Sequence, residues 1–371
     1  MDVKPIMRRH HLIFALVLAL IAALLPARAA LAAQATEQSP FGTPLRELNK
    51  PDLRIQQVAT IEGAHHRMTF HRATWTGGQT YLRDIAVRTP AGWLPVTDPG
   101  QRFAEQWIVL NGAGGTPSDY YSSMSPGWIG FTALRQVNRR TVELSTAAAG
   151  GFELTVRWSV GGDNPEASWT LTARRADDFV VGYQALDVTA FDEVDEVLCG
   201  SRQHARVIYG AEALGAWELM TPACLLERTV AGRQVTAGVY APAEVIPFEH
   251  QREVGPDGQP FGMSLRNEAG NVQPVVFAPQ VGRNSPLKAG QRHSFTFGVY
   301  ARTATMYEAY TALARDEYDY TDYRHNVYDT SLTGTVHNLV DLAMQDTTAD
   351  DSETYQKSLS GWWDRAKGFV D

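Results

Sequence analysis

Residues 293–313, HSFTFGVYARTATMYEAYTAL, contain the change of rhythm that decides the fold. From His293 to Arg302 the apolar side chains Phe295, Phe297 and Val299 alternate with Ser294, Thr296 and Gly298, the period of a strand with one buried face. Beyond Arg302 the period changes. Thr305 and Glu308 have the spacing of a capping box, in which each side chain accepts from the other's backbone N–H. Met306, Tyr310 and Leu313 follow at helical spacing. A helix is therefore expected within a few residues of the strand's end.

Downstream the helical rhythm continues. Leu332, Val336, Leu339, Val340 and Ala343 share one face of a second helix starting at Ser331, and Trp362, Trp363, Ala366, Phe369 and Val370 begin a third. Between the first two helices lies the acidic, aromatic run Asp316 to Arg324, either a solvated connector or a surface that clamps two domains together. Its alternating tyrosines and charges favour the clamp, because tyrosine gives contact area with a polar tip. Strands followed by helices imply two cores rather than one α/β layer. The helices either open a larger helical domain or fold back onto the strands. Three large aromatic rings close to Asp371 need a partner surface, which favours the first, and with it the expectation that this chain is truncated early in that domain.

Upstream, from about Asp52 to Arg302, strand signals recur with turn residues between them. Met68–Trp75 runs into Thr76-Gly77-Gly78, and Tyr81–Val87 into Pro90-Ala91-Gly92. Phe152–Val160 places five apolar side chains on one face and four polar ones on the other. After the turn 161–165, Trp169, Leu171 and Ala173 repeat the pattern, so the two read as a hairpin. Val235–Tyr240 and Gln273–Phe277 read as a further strand pair across a Pro- and Gly-rich loop. Many strands over residues 45–302 with no strong intervening helix indicate a large antiparallel β-sandwich, followed by a helical segment over 303–371.

Residues 1–35 have the form of a signal peptide: Arg8, Arg9, His10 and His11 precede an apolar run from Leu12 to Leu25, with small residues after it. That run is shorter than the ~20 residues a membrane-spanning helix needs, so cleavage and export are expected rather than a stable membrane anchor. His10-His11-Leu12 after the arginine pair is a poor twin-arginine match, which favours ordinary secretion into the periplasm or the medium. The whole chain carries a net charge of −8; removing 1–35 takes away four basic residues and one acidic one, giving a mature charge near −11. Such a balance disfavours nucleic acid and anionic lipid as partners. Cys199 and Cys224 are the two cysteines of the chain, a candidate disulfide in an exported protein, although spacing alone does not fix the geometry. Neither their number nor their spacing suits zinc or redox chemistry, so no metal or cofactor is expected.

Candidate site residues are few. Tyr120, Tyr121 and Trp128 crowd a Ser-, Gly- and Pro-rich segment, where aromatic faces beside polar groups suit stacking on the apolar face of a sugar, or equally cap the end of a sandwich. His66 and His71 stand five apart on a strand and leave on opposite faces unless a bulge intervenes, which speaks against joint metal or proton chemistry with His65. Asn111–Gly115 has no following helix or lysine and reads as a turn rather than a phosphate cradle.

The order of parts resembles the six-hairpin glycosidases that carry an amino-terminal sandwich of the galactose-mutarotase type. The resemblance lies in Val156-Arg157-Trp158 with Ser168–Thr172, in Phe179–Tyr183, and in the junction Asp322-Tyr323-Arg324-His325-Asn326 with Ser331-Leu332 and Asn338–Asp341. It implies a supersandwich over the first part of the chain, the start of an (α/α) barrel after it, and poly- or oligosaccharide as partner. It also implies an interdomain junction that includes Tyr320, Asp322, Tyr323, Arg324 and Asn326. In that family the barrel carries the catalytic acids, so none is transferred onto this chain. Glycoside hydrolysis needs two facing carboxylates; Glu105, Glu212, Glu218 and Glu249 supply carboxylates without saying which face each other. Three functions are thus carried forward. The first is the amino-terminal portion of an exported glycoside hydrolase-like enzyme, the second a stand-alone carbohydrate-binding or structural envelope module, and the third a sugar epimerase working within the sandwich.

Overall fold

Alternation of apolar and polar residues makes strands whose apolar sides can be buried against each other, and many of the twenty strands among the described residues follow this rule. The computed structural model describes residues 47–97, 106–112, 125–147, 151–186, 189–200, 203–205, 214–216, 219, 222–245, 260–266, 271–279 and 286–319. The chain divides into two units, Met1–Leu313 and Ala314–Asp371. Of the second, the described residues comprise only the last turn of a helix and the turn after it.

In chain order the strands are β1 (Arg54–Glu62), β2 (His66–Trp75), β3 (Gly78–Thr89), β4 (Gly92–Pro95), β5 (Trp107–Asn111), β6 (Ser125–Trp128) and β7 (Ala133–Asn138). There follow β8 (Thr141–Ser145), β9 (Phe152–Ser159), β10 (Glu166–Ala173), β11 (Asp177–Gln184), β12 (Val194–Cys199), β13 (Gln203–Ala205) and β14 (Leu214–Gly215). The series ends with β15 (Ala223–Val230), β16 (Arg233–Tyr240), β17 (Gly262–Arg266), β18 (Val272–Ala278), β19 (Pro286–Leu287) and β20 (Arg292–Arg302), after which comes helix α1 (Met306–Asp316). Between β1 and β20 the described residues include the single-turn 3₁₀ segments Phe191–Glu193 and Ala243–Val245.

These strands build three sheets, and every pairing between them is antiparallel. β1 to β4 form a four-stranded meander; a nine-stranded sheet runs β13-β12-β15-β16-β20-β10-β9-β8-β7; a seven-stranded sheet runs β14-β17-β18-β11-β5-β6, with β19 attached to β11. The fold is mainly β, an antiparallel sandwich followed by a short helix, as the strand rhythm implies. The β9–β10 hairpin pairs Val156 with Trp169 and Trp158 with Ala167. Phe152, Leu154, Val156 and Trp158 are buried while Arg157 on the other face is exposed. The expected pairing of Val235–Tyr240 with Gln273–Phe277 is corrected. β16 pairs with β15 and β20 in the nine-stranded sheet, whereas β18 pairs with β17 and β11 in the seven-stranded one. Both segments have strand rhythm, but rhythm says which face is buried and not which neighbour supplies the hydrogen bonds.

The core lies between the sheets. Trp107 and Tyr183 enter it from the seven-stranded sheet and Trp158 and Phe297 from the nine-stranded one. Their ring centroids are 4.9 Å apart for Trp107–Tyr183, 5.4 Å for Trp158–Tyr183 and 5.1 Å for Tyr183–Phe297. Arg83 of β3 reaches the same cluster from the four-stranded sheet. Its guanidinium is buried, lies 5.0 Å from the Trp158 centroid, and donates to Gln106 Oε1 at 3.1 Å and to the Tyr183 hydroxyl. Cation–π contact and hydrogen bonds here offset part of the cost of burying the charge. The same contacts fasten the meander to the sandwich.

β11 and β18 are buried on both faces. The reason is a second apolar cluster on the far side of the seven-stranded sheet, formed by Ile108, Leu110, Val180, Val275 and Phe277. Close packing there demands glycine, since a Cβ on Gly262 would run into the Phe277 ring.

Candidate functional site

The best-defined polar construction in the described residues stands where the last strand hands over to the helix. On β20, Thr296, Gly298, Tyr300 and Arg302 point away from the core, and on the neighbouring strands Thr236, Glu227 and Tyr240 point to the same side by register. Glu227, Thr236, Tyr240 and Tyr300 are nevertheless buried. The Glu227 carboxylate accepts the N–H of Met306, the first residue of α1, with one oxygen, and the side-chain amide of Gln234 at 3.0 Å with the other. Thr236 Oγ1 donates to the Ala304 carbonyl at 2.8 Å. A carboxylate at a helix start satisfies a donor that has no intrahelical partner and meets the positive end of the helix dipole.

The helix start is capped locally as well. Thr305 N–H donates to Glu308 Oε2 at 2.9 Å and Glu308 N–H to Thr305 Oγ1 at 3.3 Å, the reciprocal pair that the sequence spacing implies. Those bonds hold the Glu308 carboxyl below its ordinary pKa. Met306, Ala309 and Leu313 are buried, whereas Tyr307 and Tyr310 are exposed. Two independent devices, one local and one from the sandwich, thus fix the direction in which the chain leaves the strands. Sequence reasoning found the first and missed the second, because a glutamate in a strand reads as a solvated acid. Its place directly after the apolar run Ala223–Leu226 is the available signal.

Of the aromatic candidates, Trp128 ends β6 on the far side of the seven-stranded sheet, opposite Ile108, and is partly exposed against the second apolar cluster. Tyr120 and Tyr121 lie outside the described residues, as do the junction residues Tyr320, Asp322, Tyr323, Arg324 and Asn326 and the carboxylates Glu105, Glu212, Glu218 and Glu249. The second and third expected helices lie outside them too.

The histidines separate as strand geometry requires. His66 is buried and its Nε2 donates to the Ala301 carbonyl at 2.7 Å; burial pushes its pKa down to about 4, so the ring is neutral. His71 leaves on the other face and pairs with Asp84 Oδ2 at 2.8 Å. Hence no joint chemistry brings them together. Asn111 reaches Asp177 Oδ2 at 3.4 Å, where Arg175 also binds at 2.9 Å, while residues 113–115 of the expected turn lie outside the described residues.

Glu166, at the start of β10 opposite Gly298, is the carboxyl among the described residues whose pKa is raised, by desolvation first and then by the charge of Glu244. No third acidic, histidine or cysteine side chain joins a metal-binding group anywhere among the described residues.

No family profile matches the chain, and no curated protein is similar to it. Among solved structures, a galactose mutarotase related enzyme from Lactobacillus acidophilus is similar at 10% identity, covering 68% of this chain and 99% of its own, with a TM-score of 0.34. A GH36 α-galactosidase from Geobacillus stearothermophilus is similar at 11% identity over 77% of this chain and 48% of its own, with a TM-score of 0.40. An α-N-acetylgalactosaminidase from Bifidobacterium bifidum is similar at 10% identity over 77% and 42%, with a TM-score of 0.36. The chain spans about half the length of the α-galactosidases or less. These likenesses are distant, and nothing about this chain's chemistry follows from them.

Proposed function

We propose that this chain is the amino-terminal portion of an exported carbohydrate-active enzyme of the glycoside hydrolase type. Its sandwich supports and orients a helical catalytic domain that begins near Thr303. The observation that carries the reading is the handover at Arg302–Met306. A buried carboxylate and a buried hydroxyl of the sheet are committed to the first turn of α1, which makes the sandwich a platform with a defined exit direction. The resemblance of the strand and junction motifs to six-hairpin glycosidases supplies the substrate class, poly- or oligosaccharide, and the leader-like residues 1–35 supply the export. The natural coding sequence is then expected to run past Asp371 into further helical hairpins, and a stop codon directly after Asp371 removes the reading.

A second reading, a stand-alone carbohydrate-binding module, is favoured by the partly exposed Trp128 ring on an apolar sheet face. Titration calorimetry of the chain against oligosaccharides separates the two. A binding module holds sugar through the sandwich and loses it in Trp128→Ala, whereas a supporting domain gives no heat.

A further inference from the structure

We infer that Cys199 and Cys224 are the two halves of a cross-strand disulfide. They stand directly opposite each other on the paired strands β12 and β15. The next pair outward is joined by the Gly200 N–H donating to the Ala223 carbonyl at 3.2 Å. In an antiparallel ladder that bond flanks a position where the two residues exchange no backbone hydrogen bonds, and at such positions the side chains come closest. Typical Cα separations there, ~4.5 Å, lie within the range a disulfide spans. Both side chains point inward between the sheets, and both are fully buried. The Cys224 thiol donates to the Ser264 carbonyl at 3.1 Å. Two thiols brought together in a dry interior by strand register, rather than by a metal or a catalytic partner, are placed for oxidation.

Burial pushes the Cys224 thiol well up, so the folded, reduced protein offers no thiolate there. The bond therefore forms while the sheets are still open. One thiolate attacks an external disulfide and releases one thiol; the second attacks the mixed disulfide, closes Cys199–Cys224 and releases the other. The two protons end on the released thiols, and the two electrons reduce the external disulfide. The bond ties β12 to β15 and closes the segment 200–223. Once the sheets have packed, its sulfurs are out of reach of reductants in solution.

The inference rests on export for its setting, since a reducing compartment keeps the pair as thiols; the test does not. The full chain is refolded from denaturant in a buffer of oxidised and reduced glutathione, then unfolded in guanidinium at neutral pH in the presence of excess alkylating reagent. The expected product takes up no label and is lighter than the reduced chain by two hydrogens. Its bond survives dithiothreitol in the native state and is cut by it in urea. A native far-ultraviolet spectrum with two labelled cysteines overturns the pairing. The Cys199→Ala/Cys224→Ala variant folds, and its unfolding midpoint lies below that of the oxidised chain and does not move with dithiothreitol. A midpoint equal to that of the oxidised chain also counts against the bond. Protein isolated from its source as the dithiol, together with clean closure in glutathione, removes the export reading and leaves the pairing standing.

Discussion

Replacing Glu227 by alanine should release α1 from the sandwich, and the size of the effect can be worked from the geometry. The wild-type carboxylate is 4% exposed and accepts from the Met306 N–H and the Gln234 amide. Removing it leaves two donors without their acceptor in a buried setting, where an unsatisfied polar group costs roughly 1–3 kcal/mol. It also removes a negative charge from the helix start, an interaction contributing about 0.3–2 kcal/mol depending on burial. Part of this is returned, because a buried charge no longer has to be desolvated. The net expectation for Glu227→Ala is a loss of roughly 2–4 kcal/mol, and for Glu227→Gln, which keeps one acceptor oxygen, about 1 kcal/mol. Urea unfolding measures the total, and amide hydrogen exchange locates it. Exchange should rise first in residues 306–313 and leave the β9–β10 hairpin protected. Thr236→Val, which removes the donor to the Ala304 carbonyl, should act on the same amides and couple non-additively with Glu227→Ala. If Glu227→Ala unfolds within about 0.5 kcal/mol of wild type, the range of an inert surface change, and helix exchange is unchanged, Glu227 does not anchor α1.

His66 has a folded pKa of about 4 against an ordinary value of 6.5, so the unfolded chain binds the proton first as pH falls. Its contribution is present above pH 6.5 and is lost between there and pH 4, by about 3 kcal/mol in all. Urea midpoints measured across that window should fall with acid in wild type and fall less in His66→Gln. Trp158→Ala removes a fully buried ring from the Trp107, Tyr183 and Phe297 cluster, and a loss of roughly 3–5 kcal/mol in chemical unfolding is expected. Gly298→Ala drives a methyl group into the Tyr240 ring and should cost roughly 1–3 kcal/mol, partly recovered by adding Tyr240→Leu. Arg83→Met, which replaces a buried cation by an apolar side chain of similar length, should be tolerated far better than Arg83→Ala in thermal unfolding.

How much of this was legible in the sequence depends on how local the cause is. The β9–β10 hairpin, β20 and the start of α1 are written in periods and caps that span a few residues, and they stand where the residues place them. β11 and β15 were harder. Their runs Phe179–Tyr183 and Ala223–Leu226 are apolar on both faces because the sheets are covered on both sides, so alternation is missing where burial is deepest. The partners of β16 and β18 could not be read at all, since pairing joins segments far apart in the chain. The separation of His66 from His71 needed only strand geometry. The Glu227 anchor and the facing cysteines needed the register of β15 against its neighbours, which no single stretch of sequence encodes.

The central claim is that the sandwich supports a helical catalytic domain acting on carbohydrate, and glycoside cleavage by the native protein from its source tests it most directly. Release of reducing ends from a panel of oligosaccharides should be measured before and after limited proteolysis within residues 314–371. Cleavage of sugar by the intact protein, abolished once the sandwich is separated while the β core stays folded, is the predicted result. Undiminished activity from the isolated sandwich, or an intact native protein with no action on any glycoside, contradicts it.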